Sequence, residues 1–193
     1  MKQLYIATAL VLFSTYLFAQ TKWTIDPAHT SIKFEVSHMG INTTEGKFTS
    51  FNGTMTATNP DFSDAQVEFA VDLSSINTDN QMRDNHLKSD DFFNAEKYPQ
   101  MIFKSTSFKK VSDKKYQLSG NLTIRDKTRP VTFDVTYGGM AADSYGNTHA
   151  GFKAATTINR LDYDLKWNKM IETGAVVGSD VDIIINGEFL KAK

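Results

Sequence analysis

The sequence contains no cysteine. Disulfides, thiolate metal sites, cysteine nucleophiles and the lipid-modified cysteine of a bacterial lipoprotein are thereby excluded. It also lacks an excess of either charge, with 21 Lys and Arg against 22 Asp and Glu in 193 residues and a formal net charge of −1. A nucleic-acid binder normally carries a clear basic surplus, so no nucleic-acid partner is expected. No Gly-x-Ser-x-Gly elbow, His-Glu-x-x-His pair, phosphate loop or dinucleotide fingerprint occurs. Nor is there a repeat period, a low-complexity tract or a Pro/Gly linker, which leaves one domain as the expectation. Beyond the first twenty residues no run is long and apolar enough to cross a bilayer.

What is present begins with an address. Met1-Lys2 is followed by an almost wholly apolar stretch from Leu4 to Phe18, then Ala19-Gln20 and polar Thr21-Lys22. A basic start, an apolar run and a small residue at the end read as a secretory signal peptide, cleaved after Ala19. The expected division is therefore residues 1–19 as signal peptide and 20–193 as the mature domain, periplasmic or secreted. A domain of that length buries enough surface to fold without disulfides.

Along the mature chain the hydrophobic period is two. Ile32, Phe34 and Val36 alternate with polar residues, as do Val67, Phe69, Val71 and Leu73. Leu118, Gly120, Leu122 and Ile124 continue the pattern, then Val131, Phe133, Val135 and Tyr137, and finally Val181, Ile183, Ile185, Gly187 and Phe189. Turn-forming clusters separate these runs, which predicts an antiparallel all-β protein of eight or nine strands. One stretch breaks the rhythm: Met82, His86 and Leu87 fall at helical spacing, predicting a short helix over Asp79–Ser89 capped by Thr78 or Asp79. So short a helix cannot cover eight strands, and the sheet must fold over itself as a barrel or a sandwich. The inward set mixes bulky Phe with Gly120, Ala154, Thr156 and Gly187; the pattern alone leaves open whether these small residues create a void or relieve crowding at bends.

A set of segments, in order, carries a resemblance. They are Trp23–Ser31 (WTIDPAHTS), Phe34–His38 (FEVSH), Gly46-Lys47-Phe48 with Phe51-Asn52-Gly53, Ser75–Thr78, Arg83–Phe93, Tyr98-Pro99, Phe103–Ser105, Gly120–Arg125 and Val177–Val181. Together they resemble the YceI-like family of bacterial polyisoprenoid-binding proteins, over nearly the whole mature chain. The resemblance implies a lipocalin-like, eight-stranded antiparallel barrel with one short inserted helix. It further implies an interior that holds a long-chain isoprenoid or other lipid for transport or storage, an exported location, and a homodimer. The sequence departs from the family pattern at two turns, with Arg125-Asp126 for the usual Arg-Gly and Tyr163-Asp164 for an aromatic-Gly pair.

A hydrocarbon chain is recognised by burial and shape, at about 0.8 kcal/mol per buried CH₂ before entropy costs. No cofactor, metal or catalytic residue is needed for that. The candidate channel lining is Phe34, Val36, Phe69, Phe103, Leu122, Ile124, Phe133, Val135, Phe152 and Ile158. Met82, Leu87, Phe92 and Phe93 are candidates for a lid, with Arg83, His86 and Asp91 as candidate head-group contacts. His29 and His38 are nine residues apart and would face opposite sides of one strand, which argues against a shared metal. Asp26 with His29, and Arg83 with Asp84, are expected to fix the chain entry and the helix. Two other readings stay open here: an enzyme with His29 or His86 as general base beside Asp26 or Asp84, and a structural or stress-response domain with a solid core.

Overall fold

Alternating inward and outward side chains dictate the architecture seen in the computed structural model, which describes residues 20–172 and 174–192. The expected signal peptide, residues 1–19, lies outside the described residues. The strands are β1 (Thr21–Ile25), β2 (Ser31–His38), β3 (Asn42–Phe48), β4 (Phe51–Ala57), β5 (Gln66–Asp72), β6 (Ile76–Asn77), β7 (Gln100–Ser112) and β8 (Lys115–Ile124). They continue with β9 (Lys127–Ala142), β10 (Thr148–Asn159), β11 (Met170–Ile171), β12 (Gly174–Ala175) and β13 (Val177–Lys191), and one helix, α1 (Gln81–Lys88), lies between β6 and β7. Eight strands close an antiparallel ring in the order β1-β4-β5-β7-β8-β9-β10-β13 and back to β1. The expected all-β barrel with one short inserted helix is borne out.

The ring has a seam. One edge of β13 pairs with β10 from Asp180 to Leu190, while its other edge is shared by two strands. β2 takes Val177 to Asn186, and β1 takes Phe189 to Lys191. β3 and β6 extend the sheet outward from β2. One wall of long strands, β7 to β10 with β13, thus runs the full height, and shorter strands complete the other side. The segment between β6 and β7, including α1, lies at the upper end, where β8 turns into β9. Arg125 in that turn reaches the carbonyl oxygens of Asp90, Phe92 and Asp164. The loops joining β4 to β5 and β9 to β10 form the lower end.

Phe rings lie flat against the wall where a neighbouring strand offers glycine. Phe34 is paired with Gly46 and Phe69 with Gly53. A Cβ on Gly46 would stand 2.3 Å from the Phe34 ring, and one on Gly53 would stand 2.8 Å from the Phe69 ring. Any other residue there would push the ring into the lumen. Gly120 works the same way, its missing Cβ occupied by the Phe103 ring and the Lys104 carbonyl, so it relieves crowding and makes no void. Ala154 and Gly187, by contrast, border open space.

The helix starts later than its sequence suggests. Asn80 is the cap, its side chain accepting the Arg83 N–H at 3.0 Å. Thr78 is engaged elsewhere: its N–H and hydroxyl both donate to buried Asp84, at 2.9 and 2.6 Å. Arg83 closes the network, donating to the Thr78 hydroxyl and carbonyl, each at 2.7 Å. Asp79 takes a left-handed backbone, φ 57°, and cannot serve as an extended cap. The Tyr163-Asp164 departure also has a physical reading. Asp164 sits in the left-handed region at φ 60° and ψ 24°, ending a short 3-10 turn, Arg160–Tyr163. Aspartate is among the few residues that tolerate this conformation, and here its carboxylate is held by Lys166 at 2.7 Å and Lys127 at 3.3 Å.

Candidate functional site

The inward faces of the ring do not meet across the middle. A lower lobe of about 90 Å³ is lined by Phe69, Phe103, Leu122, Phe133, Val135 and Phe152, with Met55, Val67, Val71, Phe108, Leu118, Ala154, Ile185, Gly187 and Phe189. An upper lobe, also of about 90 Å³, is lined by Phe34, Val36, Ile124, Ile158, Leu87, Phe92 and Phe93, with Phe48, Leu165 and Arg160. Ile32, Met101 and Ile183 border both lobes and form the neck between them. Above lies a mouth groove of about 540 Å³, which shares Phe34, Val36, Leu87, Phe92 and Val177 with the upper lobe. Its remaining wall includes Met82, Arg83, His86, His38, Thr78 and Trp167.

The three spaces follow one another from the barrel floor to the solvent. Among the described residues no titratable side chain lines the lower lobe, and apolar cavities of this size stay dry. Met55 and Met101 are the adaptable parts of the wall, because an unbranched thioether side chain repacks around a guest more readily than Ile or Val.

The two ends are closed differently. At the floor, the loop between β4 and β5 inserts Phe62, only 2% exposed, against Trp23, Tyr137 and Phe152 at centroid distances of 5.4, 5.6 and 5.3 Å. Phe62 holds φ 61°, a costly conformation for a bulky residue, and its burial overrides that cost. Asp64 fixes the loop by accepting the Thr58 and Asn59 N–H groups, and the Tyr116 hydroxyl donates to the Asp61 carbonyl at 2.7 Å. At the mouth the closure is polar. Besides the Thr78–Asp84–Arg83 network, His86 Nε2 stands 2.8 Å from Asp91 Oδ2, with the imidazole edge-on to Phe92 and Trp167.

Arg160 is a feature that the sequence pattern did not reveal. It is 3% exposed, and among the described residues its partners are backbone carbonyls rather than carboxylates. Its guanidinium donates to the carbonyl oxygens of Gly178 at 2.7 Å, Trp167 at 3.1 Å, Val177 at 3.2 Å and Leu165. Burial holds its pKa below the usual arginine value. One side chain thereby gathers the loop after β10 and the start of β13 into a rim over the upper lobe.

All ten candidate channel residues face a lobe, as do Leu87, Phe92 and Phe93, while Met82, Arg83 and His86 line the mouth groove. Asp91 does not; it is the carboxylate that steadies His86. The wall residues left out of the candidate set divide into two kinds. Ile32, Val67, Val71, Leu118, Ile183, Ile185 and Phe189 lie on alternating faces already visible in the sequence. Phe108 does not: it is five residues from Phe103, an odd spacing, and comes inward only because a bulge between Ser105 and Ser107 shifts the register. Trp167 comes from a loop with no periodicity to find it by.

Of the pairs foreseen for an enzyme, His86 with Asp84 is not formed, whereas His29 with Asp26 is. Asp84 is committed to Thr78, so His86 is partnered by Asp91 instead. His29 does stand 2.7 Å from Asp26, fixing the chain between β1 and β2, but neither residue lines the tunnel. Among the described residues, one group of three metal-type side chains has ligand atoms within 4.8 Å of one another: Asp26, His149 and Glu188, also outside the tunnel.

Comparison with known proteins places these features in context. The family model of the YceI-like domain matches residues 23–189. A UPF0312 protein of Staphylococcus aureus strain MSSA476 is 36% identical over 171 residues, covering 88% of this chain and 97% of the relative. Among solved structures, the YCEI protein of Campylobacter jejuni aligns with a TM-score of 0.71 and 28% identity, over 81% of this chain and 90% of that one. BcnA of Burkholderia cenocepacia aligns with a TM-score of 0.75 and 23% identity, over 85% and 98%. A polyisoprenoid binding domain from Saccharophagus degradans shares the fold, with a TM-score of 0.63 and 12% identity over 88% and 98%.

Proposed function

The chain belongs to the YceI-like family, and from that premise we propose that it is an exported protein that holds the apolar chain of an isoprenoid or similar lipid inside the barrel, for transport or storage. The observation that carries the reading is the succession of apolar lobes ending in a half-polar mouth. Each methylene moved from water into such a lumen contributes about 0.8 kcal/mol, so a chain of a dozen or more carbons outweighs the cost of association. Arg83 and His86 stand where a polar head group would emerge. The polyisoprenoid binding domain of Saccharophagus degradans supports the ligand class by its fold. Residues 1–19, read as a signal peptide cleaved after Ala19, support a periplasmic or secreted location. Among the described residues no helix is long and apolar enough to span a membrane. The reading is of a binder, with no step that requires a catalytic residue, and of a homodimer, which molar mass from light scattering tests directly.

The test is extraction of the purified chain with organic solvent, followed by mass spectrometry, with parallel uptake assays using offered isoprenoids and fatty amides. One long-chain lipid per barrel, or stoichiometric uptake, is the expected result. An empty extract together with no uptake overturns the proposal.

A further inference from the structure

The outer wall carries a second constellation that the lipid reading does not use. Where β13 passes from β2 to β1, the connection Asp26–Thr30 lies over it, anchored by the Asp26 N–H to the Glu188 carbonyl at 2.8 Å. Thr30 reinforces the crossing, its hydroxyl oxygen accepting the Glu188 N–H at 3.0 Å. Two histidines and three carboxylates meet at this point. His29 Nδ1 stands 2.7 Å from Asp26 Oδ2 and 3.8 Å from Glu188 Oε1. His149 Nδ1 stands 2.7 Å from the same Glu188 oxygen, and its Nε2 lies 3.3 Å from Asp143 Oδ2. Ligand atoms of Asp26, His149 and Glu188 all fall within 4.8 Å of one another.

We propose that Asp26, His149 and Glu188, with His29 as fourth ligand, form a binding site for a divalent transition metal of the zinc type across the barrel seam. Two imidazoles with two carboxylates are a donor set suited to such ions, whereas magnesium and calcium favour oxygen donors alone. Around a tetrahedral ion with bonds of about 2.0 Å, ligand atoms sit about 3.3 Å apart. The 2.7 Å pairs, now bridged by a proton, would open by a few tenths of an ångström as the metal replaces it. His29 is 64% exposed and free to make that adjustment. Asp143 remains hydrogen-bonded to the other nitrogen of His149, as the carboxylate behind a metal-bound imidazole commonly is. The metal would tie the β1–β2 connection to β13 and β10, locking the closure of the ring. It touches no wall of the tunnel, so it stands or falls apart from the lipid reading.

The test is calorimetric titration of the tag-free chain with zinc chloride, and separately with calcium chloride, beside the Asp26→Asn/His149→Ala double variant. One zinc per chain is expected, weakened at least tenfold in the double variant, with calcium binding far more weakly. Zinc should also raise the unfolding midpoint of the wild type and not that of the variant. No zinc binding, equal affinity in both chains, or equal preference for calcium overturns the site. Should the double variant fail to fold, the imidazole NMR signals of His29 and His149 in the wild type decide: signals unmoved by one equivalent of zinc overturn it as well.

Discussion

The two ends of the barrel solve one problem, sealing an apolar lumen against water, by opposite means. The floor is closed by packing: Phe62 sits among Trp23, Tyr137 and Phe152, and Tyr116 stacks on Phe108 at 5.0 Å. The mouth is closed by hydrogen bonds, through Asn80, Asp84 and Arg83 around α1, Arg125 on the carbonyls beneath it, and Arg160 on the opposite rim. Water replaces a hydrogen bond at little net cost, because a protein–protein bond is exchanged for protein–water ones. It does not replace buried aromatic contact. On that difference the mouth is the end expected to yield first, and the proposed guest would pass between α1 and the rim that Arg160 gathers.

Substitutions at the two ends put that contrast at risk. The largest effect is expected for Phe62→Ala, which should cost about 3–5 kcal/mol in urea unfolding, the range for truncating a buried aromatic; a loss below 1 kcal/mol would mean the floor is not a packed plug. Next is Arg160→Met, which strands four carbonyls and should cost about 2–3 kcal/mol. Its mark is local: hydrogen exchange should quicken at residues 165–178 while the floor stays protected, and uniform loss of protection would deny the rim its separate identity. A smaller change in stability, about 1 kcal/mol, is expected for Leu87→Ala at the half-buried inner face of α1. Release of a bound fluorescent fatty acid should nevertheless quicken, whereas an unchanged release rate would move the exit elsewhere.

Met82→Ser, at a side chain 83% exposed, should leave stability within about 0.5 kcal/mol and alter only uptake. The smallest effect concerns acid. Asp143, in the β9–β10 loop at the floor, is lowered to about 2, chiefly by the Asn147 side-chain amide, aided by the Asn147 and Tyr145 N–H groups and by His149. A carboxylate pKa depressed on folding contributes stability above its unfolded value near 4, lost as pH falls through about 2. The Tyr145 and Asn147 amide NMR signals should therefore titrate near pH 2; a midpoint near 4 would show that the loop leaves this carboxylate unaided.

Much of the wall was legible because a strand writes its buried face at every second position. From Tyr116 to Ile124 in β8, and from Val181 to Phe189 in β13, inward residues follow that rule without interruption. Legibility failed where the period failed. The bulge in β7 inverts the parity between Phe103 and Phe108, and the Asp26–Thr30 crossing brings His29 near Glu188, residues far apart in sequence. The helix was visible but its cap was not, because three consecutive polar residues, Thr78, Asp79 and Asn80, were all chemically suited to the role. Arg160 reads as an ordinary surface charge until the loop after β10 folds its carbonyls inward.

The double allegiance of β13 has a consequence for how the molecule comes into being. Every other strand of the ring precedes it, and its partners in β1 and β2 were laid down more than 130 residues earlier. Pairings so distant in sequence make for slow assembly. Until Val177–Lys191 is in place, β10 and β2 present open edges, the condition in which sheets adhere to one another. The ring therefore closes only when its final strand arrives, and until then those edges are the part of the chain most exposed to wrong pairing.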